Sequence, residues 1–141
     1  MRLGTVTIAA DVLAALEAEA RHARPAECCG LLIGPRGGDA IVASRPAANL
    51  SPTPNRFELD PQAHVRALRE TRATGLDVIG FYHSHPASAP FPSATDLAES
   101  SYPTAVHVIV GFPGGRDVAE ARAFSVRDDG FDERQLAVVG G

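Results

Sequence analysis

The sequence lacks three features that mark large classes of protein. It has no basic run or stripe, and its formal net charge is −4 over 141 residues, so we expect no nucleic-acid partner, since phosphate binding needs clustered positive charge. No apolar segment approaches the length of a membrane span. Asp11, Glu17 and Glu19 interrupt the N-terminal segment where a secretory signal would be continuously apolar. We therefore expect a cytoplasmic protein whose macromolecular partner, if it has one, is another protein.

The chain is also poor in cysteine, with only Cys28 and Cys29, which are adjacent. Neighbouring residues seldom form a disulfide because their Cα atoms lie too close for its ordinary geometry. The sequence therefore favours a reducing compartment. Both cysteines belong to an apolar segment, so we expect them to be core residues rather than nucleophiles or metal ligands.

The length and the 45% hydrophobic content of the chain predict one compact domain over residues 1–141 with a substantial core. Strand-like and helix-like patterns alternate along it. We expect strands over residues 5–8, 28–34, 40–44, 77–85, 105–112, 120–126 and 135–139, and helices over 10–24, 60–75 and from 93 onward. The Gly-rich segment 35–38 would join the second and third strands as a hairpin. This order predicts an α/β (α+β) fold, a mixed β-sheet flanked by helices.

Two of the expected helices carry start signals. Asp60 is a typical N-cap residue, Pro61 suits the first helical position and Gly75 suits the exit. Ser93 and Asp96 have the spacing of a capping box. We therefore expect the second helix to begin at Pro61 and the third to begin directly after Ser93.

Two histidines end the strand 77–85, in the segment FYHSHP. Alternate side chains of a strand point to the same face, so His83 and His85 project together while Ser84 points away. The proline-rich loop that follows leads back to Asp96. Two imidazoles and a carboxylate suit a catalytic zinc that keeps one position open. The sequence therefore predicts a hydrolytic zinc site at His83, His85 and Asp96.

Each of these residues also has an ordinary structural interpretation. A pair of histidines on a strand is more often structural than metal-binding, and Asp96 alone would complement the dipole of a helix start. Ser93 is a suitable N-cap whether or not it has another role. The other histidines, His22, His64 and His107, are expected to be structural or solvated rather than ligands.

The segment HSHPASAPFPSATD, residues 83–96, has the form H-x-H-x7-S-x2-D, and an acidic residue lies upstream in the segment AECCGLLIG. Together these segments resemble the signature of the JAMM (MPN+) family of zinc metalloproteases, and the order of strands and helices agrees along nearly the whole chain. The resemblance implies the JAMM/MPN fold, whose topology is similar to that of zinc-dependent cytidine deaminases. The deaminase elements H-x-E and P-C-x-x-C are absent from this sequence.

The resemblance also implies roles for individual residues. His83, His85 and Asp96 would bind Zn2+, and Glu27 would be the general acid/base for a zinc-activated water. Ser93 would hydrogen-bond this water or the developing oxyanion. A carboxylate beside the metal can take the proton of the attacking water and return it to the leaving amine. Without the resemblance, Glu27 would be interpreted as an ordinary solvated acid.

The chain resembles the minimal prokaryotic members of the family, since only 55 residues separate Glu27 from His83 and leave no room for ubiquitin-gripping segments. For those members the resemblance implies hydrolysis of the amide after the C-terminal Gly-Gly of a ubiquitin-like sulfur-carrier protein, which releases an extension or a cysteine made on the carrier. A thin Gly-Gly tail could pair with an exposed strand edge, with residues 50–60 as a flap over it.

Arg45 or Arg56 could meet a substrate carboxylate. A homodimer is a further expectation.

Two other functions stay open at the level of sequence. The chain could be a peptidase of another type, such as a cell-wall or phage-tail-type peptidase. It could also be a non-catalytic MPN scaffold for protein assembly, although such members typically lose the zinc ligands that this chain keeps. Zinc content separates the scaffold from the enzymes, and hydrolysis of a carrier-tail amide separates the two enzymes from each other.

Overall fold

A computed structural model describes residues 4–51, 53, 56–93, 96, 105–127 and 130–140 of the chain. The helices in these residues are α1 (Ala10–Ala23) and α2 (Pro61–Thr71), and a short 3-10 turn covers Pro113–Gly115. The strands are β1 (Val6–Ala9), β2 (Cys29–Pro35), β3 (Ala40–Ile41), β4 (Ala43–Ala47), β5 (Leu76–His85), β6 (Val106–Gly111), β7 (Glu120–Arg127), β8 (Gly130–Arg134) and β9 (Leu136–Val139). Every predicted strand is present, and β8 is an addition.

The larger sheet has six strands in the order β4-β2-β5-β6-β7-β8. β5 and β6 run parallel in its centre, and the other neighbours are antiparallel. β5 is therefore hydrogen-bonded on both sides, by β2 and by β6, almost to its last residue. The predicted mixed sheet flanked by helices is confirmed, and the carboxyl end of β5 lies between two paired strands.

A separate sheet contains three parallel strands in the order β3-β1-β9. The single strand expected over residues 40–44 is wrong in detail, because it is divided between the sheets. Ala40 and Ile41 pair with β1, whereas β4 pairs with β2 as the predicted hairpin. The chain changes sheet at Val42, whose N–H donates to the Ile33 carbonyl oxygen at 2.8 Å. β9 is the edge strand predicted near the C-terminus.

The two helices cover opposite faces of the larger sheet. Tyr82 packs in one apolar cluster with Leu16 of α1. Its neighbour Phe81 packs in another cluster with Leu31 and with Ala67 of α2. Since side chains alternate along a strand, every second residue after Phe81 also lies on the α2 face. This is the face that carries the two histidines at the end of β5.

The expected starts of the first two helices and the end of the first agree with the structure, whereas α2 ends at Thr71, one turn before the exit predicted at Gly75. α1 ends before Pro25. α2 begins at Pro61, and the Asp60 carboxylate accepts a hydrogen bond from the Gln62 N–H at 3.0 Å. The chain then passes through Gly75, whose φ of +75° suits glycine best. In the described part of the chain, neither helix is long and apolar enough to cross a bilayer.

The third predicted helix falls mostly outside the described residues, which between positions 93 and 104 are Ser93 and Asp96 alone. Asp96 is helical, and the reciprocal hydrogen bonds of a capping box join its side chain and backbone to Ser93. The capping box is confirmed, and the helix that would follow it lies outside the described residues and stays a prediction.

Candidate metal centre

His83 and His85 occupy the carboxyl end of β5. Their Nε2 atoms lie 3.3 Å apart, and both side chains are buried. Ser84 lies between them and points to the opposite face, where its Oγ atom accepts a hydrogen bond from the Cys28 N–H at 2.9 Å. The alternation predicted for this strand is therefore confirmed, and the two imidazoles converge.

Asp96 completes a group of three buried side chains. Its Oδ1 atom lies 3.2 Å from His83 Nε2, and its Oδ2 atom lies 3.0 Å from His85 Nε2. One donor atom from each residue can be chosen so that all three lie within 4.8 Å of one another. Ligands placed about 2.0–2.1 Å from a tetrahedral zinc stand about 3.3 Å from each other. Both the donor types and their separations therefore suit a zinc ion.

The ionisation of the group also suits a cation. Burial opposes the charged form of Asp96, but hydrogen bonds from His83 and His85 outweigh it and hold the pKa of the carboxyl well below its usual range. Burial lowers the pKa of His83, which keeps its lone pair available. Burial also opposes protonation of His85, but its hydrogen bonds with Asp96 and the Ala89 carbonyl outweigh burial and raise the pKa of His85. A proton therefore competes with a metal at His85.

The orientation of His85 is set by its other ring nitrogen. His85 Nδ1 lies 3.0 Å from the Ala89 carbonyl oxygen. A carbonyl oxygen can only accept, so the contact is a hydrogen bond donated by Nδ1–H, which makes Nε2 the nitrogen that faces Asp96 and that can bind a metal once it carries no proton. This is the arrangement that fixes the tautomer of many metal-binding histidines.

The loop of residues 86–93 returns the chain to β5 and so delivers Asp96. Its outer side is held by an aromatic ring, since Phe91 lies 6.3 Å from the Phe124 ring, centroid to centroid. The Arg122 guanidinium lies 4.7 Å from the centre of the Phe91 ring, a distance at which the cation is attracted to the ring face. β7 therefore supports the loop from outside.

Gly111, at the end of β6, lets this loop approach the sheet. A Cβ atom there would lie 2.6 Å from both the Ser88 carbonyl oxygen and the Pro90 nitrogen, so Gly111→Ala must push the loop away. We expect a loss of roughly 1–3 kcal/mol in the free energy of unfolding and weaker zinc binding, because Asp96 follows the loop. Thermal unfolding and zinc titration measure these effects.

Gly4→Ala is the control, since its Cβ would meet its nearest neighbour at 3.9 Å. Equal effects of the two substitutions would contradict the explanation.

Ser93 caps the third helix and lies beside the metal group. Its Oγ atom accepts a hydrogen bond from the Asp96 N–H at 3.0 Å, and its own N–H donates to Asp96 Oδ2 at 2.8 Å. The structural interpretation of Ser93 as an N-cap is thus confirmed. A hydroxyl that accepts one hydrogen bond keeps its O–H as a donor, so capping is compatible with a second role towards a reacting oxygen.

Glu27 is buried, with only 7% of its surface exposed, so its interpretation as an ordinary solvated acid is wrong. The next residue, Cys28, is held to β5 because the Ser84 N–H donates to its carbonyl oxygen at 3.1 Å. The Cys28 side chain packs in the cluster on the α1 side. By alternation, Glu27 lies on the other face, with the histidines. Its carboxylate is near enough to contribute to the raised pKa of His85.

His85 of the metal group and Glu27 face a common cleft of about 500 Å³. The cleft is lined by Pro25, Glu27, His85, Pro86, Ala87, Ser88 and Ser93. Most of this wall is apolar, and its polar side chains are Ser88 and the three to which the sequence assigned chemistry, Glu27, His85 and Ser93. The structure therefore brings the predicted general base, one predicted ligand and the predicted oxyanion donor to a surface that a substrate can reach.

Two residues that belong to none of the motifs above contact the site from the loop 48–60. Phe57 stacks on His83, with ring centroids 4.4 Å apart and 20° between the ring planes. Asn49 donates through Nδ2 to the Glu27 carbonyl oxygen at 3.0 Å. Nothing in a single sequence marks either residue, because both contacts join segments that are distant along the chain. The expected flap does lie against the site, at Phe57.

The two arginines considered for substrate binding differ in their surroundings. Arg45 Nε lies 2.9 Å from Glu70 Oε2, so the guanidinium is joined to α2 by an exposed ion pair. Arg56 is exposed in the loop 48–60. A contact of either residue with a substrate carboxylate stays a prediction.

The remaining titratable candidates have the structural roles expected for them. Cys28 and Cys29 are buried, and burial raises the pKa of both thiols to about 12, so neither is a ready nucleophile. Burial lowers the pKa of His107 to about 4, which keeps this strand residue neutral. His22 is exposed at the end of α1, and His64 is half-buried on α2. None of them joins the group of three around Asp96.

Comparison with known proteins agrees with this geometry. The family model for prokaryotic homologues of the JAB domain matches residues 9–134. The chain is 38% identical to a desampylase of Haloferax volcanii, over 98% of this chain and 99% of that protein. It is 33% identical to the CysO-cysteine peptidase of Mycobacterium tuberculosis, over 99% of this chain and 97% of that protein. A JAB1/MPN domain protein of Archaeoglobus fulgidus has the same fold, with a TM-score of 0.63 at 22% identity, covering 96% of this chain and 100% of that chain. The chain therefore belongs to the JAMM/MPN family, in its prokaryotic JAB-domain branch.

Proposed function

We propose that this hydrolase of the JAMM/MPN family is a zinc metallopeptidase that cleaves the amide after the C-terminal Gly-Gly of a ubiquitin-like sulfur-carrier protein. One observation carries the proposal. The buried group of His83, His85 and Asp96 has the donor types and separations of a zinc site, and the buried Glu27 shares a cleft with His85. Two imidazoles and a carboxylate that converge at these separations match the ligands of a tetrahedral zinc with one open position, so this convergence supports a bound cation.

The chemistry follows from the position of each side chain. A zinc ion held by His83, His85 and Asp96 would act as a Lewis acid, lowering the pKa of a water molecule and polarising the scissile carbonyl. Glu27 takes the proton of the attacking water and passes it to the leaving amine. Ser93, which keeps its O–H as a donor, hydrogen-bonds the oxygen on which negative charge develops.

The substrate is proposed from the relatives and from the shape of the cleft. A desampylase and a CysO-cysteine peptidase each align with nearly the whole chain. A Gly-Gly segment has no side chain beyond hydrogen, so its backbone can approach closely, here to Glu27 and His85 along the apolar wall of the cleft. The leaving group would be a cysteine or a longer extension, and only the first would make the protein part of cysteine biosynthesis.

The function is tested with two substrates built on one ubiquitin-like protein, ending in Gly-Gly-Cys or in Gly-Gly followed by a short peptide. We expect the zinc-loaded protein to cut both directly after the second glycine, as located by mass spectrometry, and EDTA to abolish the reaction. A matched substrate with Ala-Ala in place of Gly-Gly should resist cleavage. A peptidoglycan stem peptide tests the cell-wall alternative. Hydrolysis of the stem peptide alone, or of no substrate, would overturn the proposal.

Other expectations stay predictions. They are a single domain over residues 1–141, a homodimer and a cytoplasmic location. The free, buried thiols of Cys28 and Cys29 are consistent with a reducing compartment. Sedimentation equilibrium of the zinc-loaded protein measures the oligomeric state.

A further inference from the structure

The described residues of the loop 48–60, which are 48–51, 53 and 56–60, are organised around one amide side chain. Asn49 Oδ1 accepts hydrogen bonds from the Ser51 N–H at 3.0 Å and from the Glu58 N–H at 2.9 Å. Its Nδ2 donates to the Arg56 carbonyl oxygen at 3.1 Å and to the Glu27 carbonyl oxygen at 3.0 Å. Three of these bonds close the loop upon itself. The fourth leaves the loop and reaches the residue proposed as the general base.

The backbone around Glu27 is held on both sides as a result. On the side of β5, Ser84 exchanges two hydrogen bonds with Cys28, one through its hydroxyl and one through its backbone N–H. On the side of the loop, Asn49 holds the carbonyl of Glu27 itself. Glu27 precedes β2, which begins at Cys29, so the bonds of the sheet do not reach it. The bonds from Ser84 and Asn49 hold the peptide group between Glu27 and Cys28 from two sides, next to the Cα atom from which the Glu27 side chain leaves.

The same loop also reaches the metal group. Phe57 lies between Arg56 and Glu58, two of the three loop residues whose backbones Asn49 holds. The Phe57 ring stacks on the imidazole of His83 with a centroid distance of 4.4 Å. A loop closed by Asn49 therefore touches the general base through a hydrogen bond and a metal ligand through a ring.

We propose that Asn49 is a positioning residue that sets the carboxylate of Glu27 relative to the metal group, and that the loop 48–60 serves as its support. This inference rests on the proposed function, because it takes Glu27 to be the general base. Asn49 touches neither the ligands nor the reacting atoms, so its loss should impair proton transfer and leave the metal in place. Displacement of a reacting group by about 1 Å can cost about 100-fold in rate.

The decisive variant is Asn49→Asp. Aspartate has the same shape and still accepts from the N–H groups of Ser51 and Glu58, so the loop keeps those bonds. It cannot donate, and it places a carboxylate oxygen against the carbonyls of Glu27 and Arg56. The matched control is Thr53→Ala, which removes a contact of Thr53 with Ser51 inside the same loop.

In the zinc-loaded protein we expect Asn49→Asp to lower kcat on the Gly-Gly-Cys substrate at least tenfold. KM should stay within threefold, zinc at about one ion per chain, and the melting temperature close to that of the control. A kcat within twofold of Thr53→Ala would overturn the inference. A second outcome would also overturn the inference. If Asn49→Asp loses activity only in proportion to lost zinc or lost folded protein, the role of Asn49 is purely structural.

Crystal structures of the wild type and of Asn49→Asp give a readout that is independent of activity. We expect the Glu27 carboxylate to move by about 1 Å or more relative to His85 while the ligands stay in place. If the Glu27 carboxylate has the same position in both structures, the inference is overturned, even when the wild type is an active enzyme. If the wild type cleaves neither carrier substrate, the proposed function fails, and the position of Glu27 in the two structures still decides the role of Asn49.

Discussion

Replacing Glu27 with glutamine is expected to leave one zinc ion bound per chain and to lower kcat by about 100-fold to 10,000-fold, the usual contribution of general acid–base catalysis. Glutamine keeps the length and shape of the side chain but cannot take a proton from water at neutral pH. The metal should stay because its proposed ligands are His83, His85 and Asp96. Elemental analysis and steady-state kinetics on the Gly-Gly-Cys substrate measure the two quantities.

The control for this experiment is Glu70→Gln. Glu70 is an exposed acid on α2 whose partner is Arg45, and an exposed ion pair contributes little to stability. The Glu70→Gln variant should therefore keep both its zinc and its activity. If Glu27→Gln retains more than a tenth of the wild-type kcat, Glu27 is not the general base. If it loses zinc instead, Glu27 belongs to the ligand set, and the division of roles within the site is wrong.

Replacing His83 with alanine is expected to remove zinc and, with it, all measurable hydrolysis. The substitution leaves one imidazole and one carboxylate as ligands. Loss of a hydrogen-bond partner of a ligand typically lowers metal affinity by about 10-fold to 100-fold. Loss of a ligand itself should lower zinc affinity by more than that. Zinc titration and elemental analysis check the first effect, and the Gly-Gly-Cys assay checks the second.

The matched control is His22→Ala, which removes an exposed histidine at the end of α1. It should bind zinc as the wild type does. Since His83 also contacts Phe57, circular dichroism must show that His83→Ala is folded, and Asp96→Asn supplies a second variant of unchanged shape. Full zinc binding by both folded variants would mean that the metal, if any, binds elsewhere.

The parts of the site that the sequence predicts are those carried by short, regular segments. Alternation along β5 places His83 and His85 on one face. The serine and carboxylate of a capping box fix Ser93 against Asp96. The same local rules predict the start of α2 at Pro61. In each case the physical cause lies within a few residues of the feature, so one sequence is sufficient.

The parts that could not be predicted depend on contacts between distant segments. The burial of Glu27 follows from Cys28 pairing with Ser84 across the sheet, and the spacing of the two residues in sequence says nothing of it. The bond of Asn49 to Glu27 and the stacking of Phe57 arise only once the loop 48–60 has closed. The division of residues 40–44 between two sheets has the same origin, because an apolar strand pattern does not specify its partner.

The central claim is that one zinc ion lies between His83, His85 and Asp96, and anomalous diffraction at the zinc edge from crystals grown with zinc tests it most directly. We expect one strong peak at about 2.0–2.2 Å from both Nε2 atoms and from an Asp96 oxygen, with the Glu27 carboxylate beside it but not bonded to it. A peak at another place, or none between these three side chains, would contradict the account.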